Sequence, residues 1–129
     1  MPLRQVHAPG LDRRYRGARS HRAGGAAEES VARHYSAAGL GVADRRWRGQ
    51  SGEIDLVTQD GDGLVFVEVK QARSFAQAAE RVTQRQIARI TAAASEYLAR
   101  MPLGQATPVR FDVALVNGTG EVQVLENAF

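Results

Sequence analysis

The chain has no cysteine. Disulfides and thiolate metal sites are excluded, so any bound metal has to be held by carboxylates, backbone oxygens or histidines. Oxygen donors of this kind suit hard cations, which makes Mg²⁺ or Mn²⁺ the expected cofactor. His7, His21 and His34 show no metal-ligand spacing and are assigned nothing. Also missing is any run near the roughly 18 apolar residues that would span a bilayer, and the N-terminus has no apolar stretch of the kind a secretory signal needs. Arg13-Arg14 is followed by basic and small residues where twin-arginine export would require an apolar segment. A cytoplasmic protein without membrane association is the expectation, with Asn117-Gly118-Thr119 serving as turn chemistry and not as a glycosylation site.

Lysine is nearly absent too: of 17 basic residues only Lys70 is lysine, and the others are all arginine. An ammonium is a compact, movable charge that a planar guanidinium does not replace, so a drift toward arginine that spares one position fits a chemical task there.

What is present fits one domain. A chain of 129 residues buries about two-thirds of the surface it exposes when unfolded, enough for a core without staples. The formal net charge of +3 is unevenly spread. Residues 1–22 hold six arginines against Asp12, whereas the remainder has eleven basic and thirteen acidic residues. Residues 1–22 therefore read as a basic, disordered arm and 23–129 as the globular domain. The arm fits a salt-dependent attraction to phosphates, an unstructured leader, or a start codon assigned too far upstream.

From Gly25 to Ala38 the apolar residues Ala27, Val31, Ala32 and Tyr35 recur at helical spacing, and Gly39 stands where a helix end favours a left-handed residue. Val42 to Trp47, Glu53 to Thr58 and Leu64 to Lys70 read as three antiparallel strands separated by Gly-Gln-Ser-Gly and Asp-Gly-Asp-Gly. Phe75 to Arg100 contains no Gly or Pro, and Val82, Ile87, Ile90, Ala94, Tyr97, Leu98 and Met101 line one face, so a single second helix is expected, ended by Pro102 and Gly104. Val109 to Val116 and Glu121 to Leu125 complete the order α-β-β-β-α-β-β.

Leu64 to Lys70 carries the most information. A near-continuous apolar run reads as a central strand covered on both faces. Glu68 and Lys70 then share a face with Leu64 and Phe66, while Val65, Val67 and Val69 line the other. Asp55 sits between apolar neighbours on the preceding strand, and pairing about the Asp60 to Gly63 turn brings it near Glu68. Two crowded carboxylates repel, and a divalent cation relieves them and lowers the pKa of water. Lys70 stands ready to orient that water or to stabilise a phosphate. A solvated contact between Glu68 and Lys70, with Asp55 an ordinary acid near a turn, is the structural alternative. Arg45, Arg46 and Arg48 alternate with Trp47 on the first strand, where they meet either a nucleic-acid backbone or solvent.

Gly52-Glu-Ile-Asp-Leu56, Val65-Phe-Val-Glu-Val-Lys70 and Arg110-Phe-Asp-Val113 resemble the YraN family of bacterial proteins. Glu29-x-x-Ala32-Arg33, Trp47-Arg48 and Asn127-Ala-Phe129 agree with it, over roughly 25–129. The resemblance implies a restriction-endonuclease-like α/β core with a mixed central sheet flanked by helices, and a PD-(D/E)xK site in which Asp55, Glu68 and Lys70 take the D, E and K. It further implies a metal-dependent endonuclease acting on nucleic acid, with DNA ahead of RNA. Asp55 and Glu68 would be the metal ligands, and Glu29 the first-helix acid that completes the site. Where the family usually has a lysine early in the second helix, this chain has Gln86, flanked by Arg85 and Arg89 as further nucleic-acid contacts. Asp112 is expected as a structural partner for an arginine. A non-catalytic nucleic-acid-binding module or an interaction protein on the same fold is the alternative, and a homodimer is left open.

Overall fold

The computed structural model describes residues 18–129, with side chains from Gly25 onward. The basic arm expected over 1–22 lies outside the described residues as far as residue 17. Helix α1 (Ala18–Ala37) starts seven residues earlier than the periodicity suggests. Alanine and arginine favour that start, whereas each of Gly24 and Gly25 costs about 1 kcal/mol in a helix interior, which is why the pattern is legible only after them. Gly39 closes α1 with a φ of 90°.

Five strands follow the order β1 (Val42–Arg48), β2 (Glu53–Asp60), β3 (Gly63–Gln71), β4 (Val109–Val116) and β5 (Val122–Leu125) across one sheet. The first three pair antiparallel as expected, β4 runs parallel to β3, and β5 returns antiparallel. This is an α/β fold with a mixed five-stranded sheet flanked by helices, consistent with a restriction-endonuclease-like core. Among the described residues no helix is long and apolar enough to cross a membrane.

The expected single helix over Phe75 to Arg100 is two helices, α2 (Phe75–Glu80) and α3 (Gln84–Leu98). Thr83 is the cause. Its backbone is extended, its hydroxyl accepts from the Gln86 amide, and the Gln86 side chain accepts from the Thr83 amide. Such a reciprocal capping box satisfies two helix-start donors and marks a new N-terminus without Gly or Pro.

The sheet faces divide as period two requires. Leu64 and Phe66 pack under α3 against Ala93, Ala94 and Tyr97, while Leu56, Val65 and Val67 pack under α1 against Ala27, Val31 and Tyr35. Tyr97 is fully buried and meets the edges of Trp47 and Phe66 at centroid distances of 5.2 and 5.7 Å. Glu68 and Lys70 continue the row of Leu64 and Phe66, on the α3 side.

Candidate functional site

Backbone pairing between β2 and β3 runs from Asp60 opposite Gly63 to Leu56 opposite Val67, and stops there. Beyond that point β2 stays paired with β1, and β3 with β4, so the two inner strands part. Asp55 and Glu68 are the next opposed positions. The Asp55 carboxylate fills the gap and accepts the Val69 amide at 2.8 Å, in place of a strand carbonyl. Alternation breaks at the same level. Ile54 joins Trp47 and Tyr97 although Leu56, two residues on, belongs to the α1 cluster. Opposite Asp55 on β1, Arg46 has a φ of 48°, which is uncommon for a residue with a side chain and flips Trp47 toward α3.

Burial, the adjacent Glu68 and then Glu28 push Asp55 well above the ordinary carboxylate range, with the Val69 amide opposing and Glu53 adding to the rise. Glu28 is also raised, chiefly by burial, against the pull of Arg46. The Glu53 Oε2 atom is buried and has no hydrogen-bond partner among the described residues. Lys70 Nζ lies 3.1 Å from Glu68 Oε2, with both side chains mostly covered. Because β3 is an inner strand, this pair is not the solvated edge contact of the structural alternative.

The charge of Glu68 bears on Asp55, and Glu68 is paired with Lys70, whereas the remaining candidates distribute differently. Glu29 reaches Arg45 at 2.9 Å and is half exposed. The α1 acid whose charge bears on Asp55 is Glu28, largely buried and bound to Arg46 at 3.0 Å. Helical phase explains the difference: Glu28 precedes Val31 and Ala32 by three and four residues, on the buried stripe, and Glu29 is turned off it. Arg45 and Arg46 are therefore engaged with acids of α1, Arg48 lies 3.8 Å from Glu53, and Arg85 and Arg89 are exposed on α3. Asp112 is fully buried on the α1 side, where it takes Arg110 through both carboxylate oxygens at 2.9 Å, the Tyr35 hydroxyl at 2.7 Å and the Asn127 amide at 2.9 Å. It is the structural partner of an arginine that the sequence suggested.

Among the described residues, no three His, Asp or Glu side chains form a ready-made cation cage. Mg²⁺ is commonly held by one or two carboxylates and keeps several waters, so a site of two acids is sufficient for it. The donor set fits: Asp55 and Glu68 are opposed, Asp55 is electrostatically strained, and an oxygen of the neighbouring Glu53 is buried with no hydrogen-bond partner among the described residues.

The model of the uncharacterised protein family UPF0102 matches residues 27–116, which span β1 to β4 and the whole candidate site. A UPF0102 protein of Ruegeria pomeroyi is 59% identical over 114 residues, covering 88% of this chain and 93% of the relative. One from Cereibacter sphaeroides is 57% identical over 110 residues, covering 85% and 94%. Another, from Roseobacter denitrificans, is 49% identical over 112 residues and covers 87% of each. With a family match over most of its length and relatives this similar along nearly all of theirs, the chain belongs to the YraN-like family UPF0102.

Proposed function

We propose that this protein is a divalent-metal-dependent nuclease that hydrolyses phosphodiester bonds in nucleic acid. The observation that carries the reading is the placement of Asp55 in the gap between β2 and β3, opposed to Glu68 and followed by the pair of Glu68 and Lys70. Asp55 and Glu68 would hold Mg²⁺ or Mn²⁺. The ion would neutralise their charge, polarise a phosphoryl oxygen and lower the pKa of water.

The chain's own groups have distinct tasks in this reading. The Val69 amide fixes the Asp55 carboxylate so that it does not reorient when the charge beside it changes. Lys70 holds Glu68 and places a positive charge where a phosphate oxygen gains negative charge during attack. Glu28 adds negative charge behind Asp55, and Arg46 limits it.

The test is incubation of purified protein with branched, flapped, single-stranded and double-stranded DNA and with RNA, in Mg²⁺ or Mn²⁺, beside Asp55→Ala and Lys70→Ala. Cleavage by wild type that both variants lose supports the reading, with DNA the first substrate to try. Wild-type protein that cuts none of these substrates removes it.

A further inference from the structure

From Arg81 to Ser95 the chain holds three arginines, Arg81, Arg85 and Arg89, and no acid. The acids that bound this stretch are Glu80 at the end of α2 and Glu96 in α3. Glu96 is committed elsewhere, because it takes the amides of Gln50 and Ser51 at 2.8 Å each. All three arginines are exposed, and among the described residues none of them makes an ion pair. Helix stability does not explain them. A cation in the first turn opposes the helix dipole, and α3 has no acid there to offset Arg85. Arg85 and Arg89 are also like charges four residues apart, a spacing at which they repel.

Both ends of this row are fixed to the strands that carry the candidate site. Arg81 Nη1 donates to the Gln71 carbonyl at 3.2 Å, one residue beyond Lys70. At the other end Arg89 packs on Gly52, where an added Cβ would lie 3.6 Å from the arginine Cβ. Gly52 leads into β2 three residues before Asp55, and Glu96 holds its loop against α3 through the two amides. Arg85 lies between, one turn before Arg89 on the same helix face. The row therefore passes from the end of β3 to the start of β2. Those are the ends at which the two strands part and Asp55 and Glu68 stand opposed.

We propose that Arg81, Arg85 and Arg89 form a track for the sugar-phosphate backbone of nucleic acid, each arginine meeting a different phosphate, and that the track leads the backbone across the gap between β2 and β3. Arginine suits that task, since its guanidinium is always charged and offers a phosphate two N–H donors in one plane. Separate phosphates follow from the spacing. Residues four apart are about 6 Å apart along a helix axis, more than the roughly 3.4 Å of axial rise between successive phosphates of one duplex strand. The destination of the backbone rests on the nuclease reading, whereas the contacts to phosphate do not need a metal.

The experiment measures binding of fluorescent single-stranded and duplex oligonucleotides, of DNA and of RNA, to the full chain in EDTA from about 50 to 200 mM salt. It compares wild type with Arg81→Gln, Arg85→Gln, Arg89→Gln, the double variant at 85 and 89, and Arg33→Gln, an exposed control on α1, with each fold checked by circular dichroism. Each single variant on the track should lose about three- to five-fold in affinity, as expected for one exposed ion pair. Its log-log salt slope should become shallower by about 0.7 on a single strand or about 0.9 on duplex DNA, the increment for one phosphate. The double variant should lose about the product of its two single losses, because each arginine serves its own phosphate.

Wild type that binds no oligonucleotide in EDTA, or a folded track variant with unchanged affinity and slope, would overturn the track. So would a loss in Arg33→Gln as large as in the three, or a double variant that loses no more than a single one. Wild type that binds with the expected variant effects but cuts nothing in Mg²⁺ or Mn²⁺ supports the track and removes the nuclease reading. A cleaving enzyme whose binding is indifferent to all three substitutions does the reverse.

Discussion

The Asp55 carboxylate accepts the Val69 amide at 2.8 Å, so a charged side chain closes a gap that a backbone carbonyl would otherwise fill. An uncharged amide oxygen would accept the same bond, which isolates the effect of the charge. Burial, Glu68 and then Glu28 hold Asp55 well above its ordinary value of 3.8. The folded state therefore favours the protonated acid: the charge costs nothing well below 3.8, costs more as pH rises from there to the group's own raised value, and costs a constant amount above it. Asp55→Asn is expected to be more stable than wild type near pH 8, on the order of 1 kcal/mol or a few degrees in Tm. That advantage should shrink as the pH is brought to about 4. Added Mg²⁺ or Mn²⁺ should raise the wild-type Tm and leave the variant's unchanged. Thermal melts at both pH values, with and without metal, check this; a variant less stable at the higher pH contradicts it.

The Tyr35 hydroxyl donates to Asp112 at 2.7 Å, tying α1 to β4 on the face away from Glu68. Arg110 and the Asn127 amide complete the set, so the same carboxylate anchors the chain after β5. Tyr35→Phe removes one donor from an otherwise satisfied acid and should cost about 1–2 kcal/mol. Asp112→Ala leaves Arg110 without its buried partner and should cost about 3 kcal/mol. Urea titration gives both values. Because the network is on the α1 side, metal affinity measured by calorimetry should be the same in Tyr35→Phe as in wild type.

Gly49 has no room for a side chain. A Cβ would stand 2.7 Å from the buried Trp47 ring and would also meet Glu96. Gly49→Ala must move the loop or displace Trp47 from Tyr97, at about 1–3 kcal/mol by the usual cost of overpacking. Glu96 is held below its ordinary value of 4.5, first by the Ser51 hydroxyl and then by the Gln50 amide. Its grip on the loop is thus complete above 4.5 and is lost as the pH falls below that through its lowered value. Hydrogen exchange should show the Gln50 and Ser51 amides opening in Glu96→Ala while those of β3 stay protected. Equal protection of the loop in the variant would show that Glu96 does not hold it.

Much of this was legible before any coordinates. Asp60-Gly-Asp-Gly63 is a turn between two Ile- and Val-rich runs, and that alone sets β2 against β3 and Asp55 near Glu68. The break between α2 and α3 was also written, as Thr83-x-x-Gln86, but the absence of Gly and Pro hid it. Helical phase favours Glu28 over Glu29, since Glu28 stands three residues before Val31 and four before Ala32, whereas Glu29 is in phase with Ala32 alone. The parting of β2 from β3 had no such mark. It depends on a positive φ at Arg46 and on a side chain replacing a backbone carbonyl, neither of which a residue pattern records. Nor does sequence tell which arginines are already bound, because that depends on where α1 brings its acids.

Lys70 tests whether the lone lysine acts in chemistry or only as a counter-charge. Its Nζ is 3.1 Å from Glu68, and both side chains are largely covered, so Lys70→Met keeps the stem and leaves Glu68 without its cation. Stability should fall by about 3 kcal/mol, the lower end of the range for breaking a covered ion pair. A divalent ion no longer repelled by the ammonium should bind at least as tightly as in wild type, while cleavage in the proposed reaction falls 100-fold or more, as when a charge-stabilising group is removed. Lys70→Arg is the sharper variant. It restores a positive charge beside Glu68 and should recover most of the stability, but its longer planar head cannot reproduce a compact ammonium at the reacting phosphate. Calorimetry with Mn²⁺, urea melts and cleavage rates on the same preparations separate the two roles. If Lys70→Arg cuts at the wild-type rate, Lys70 only balances Glu68, and its part in the chemistry is refuted.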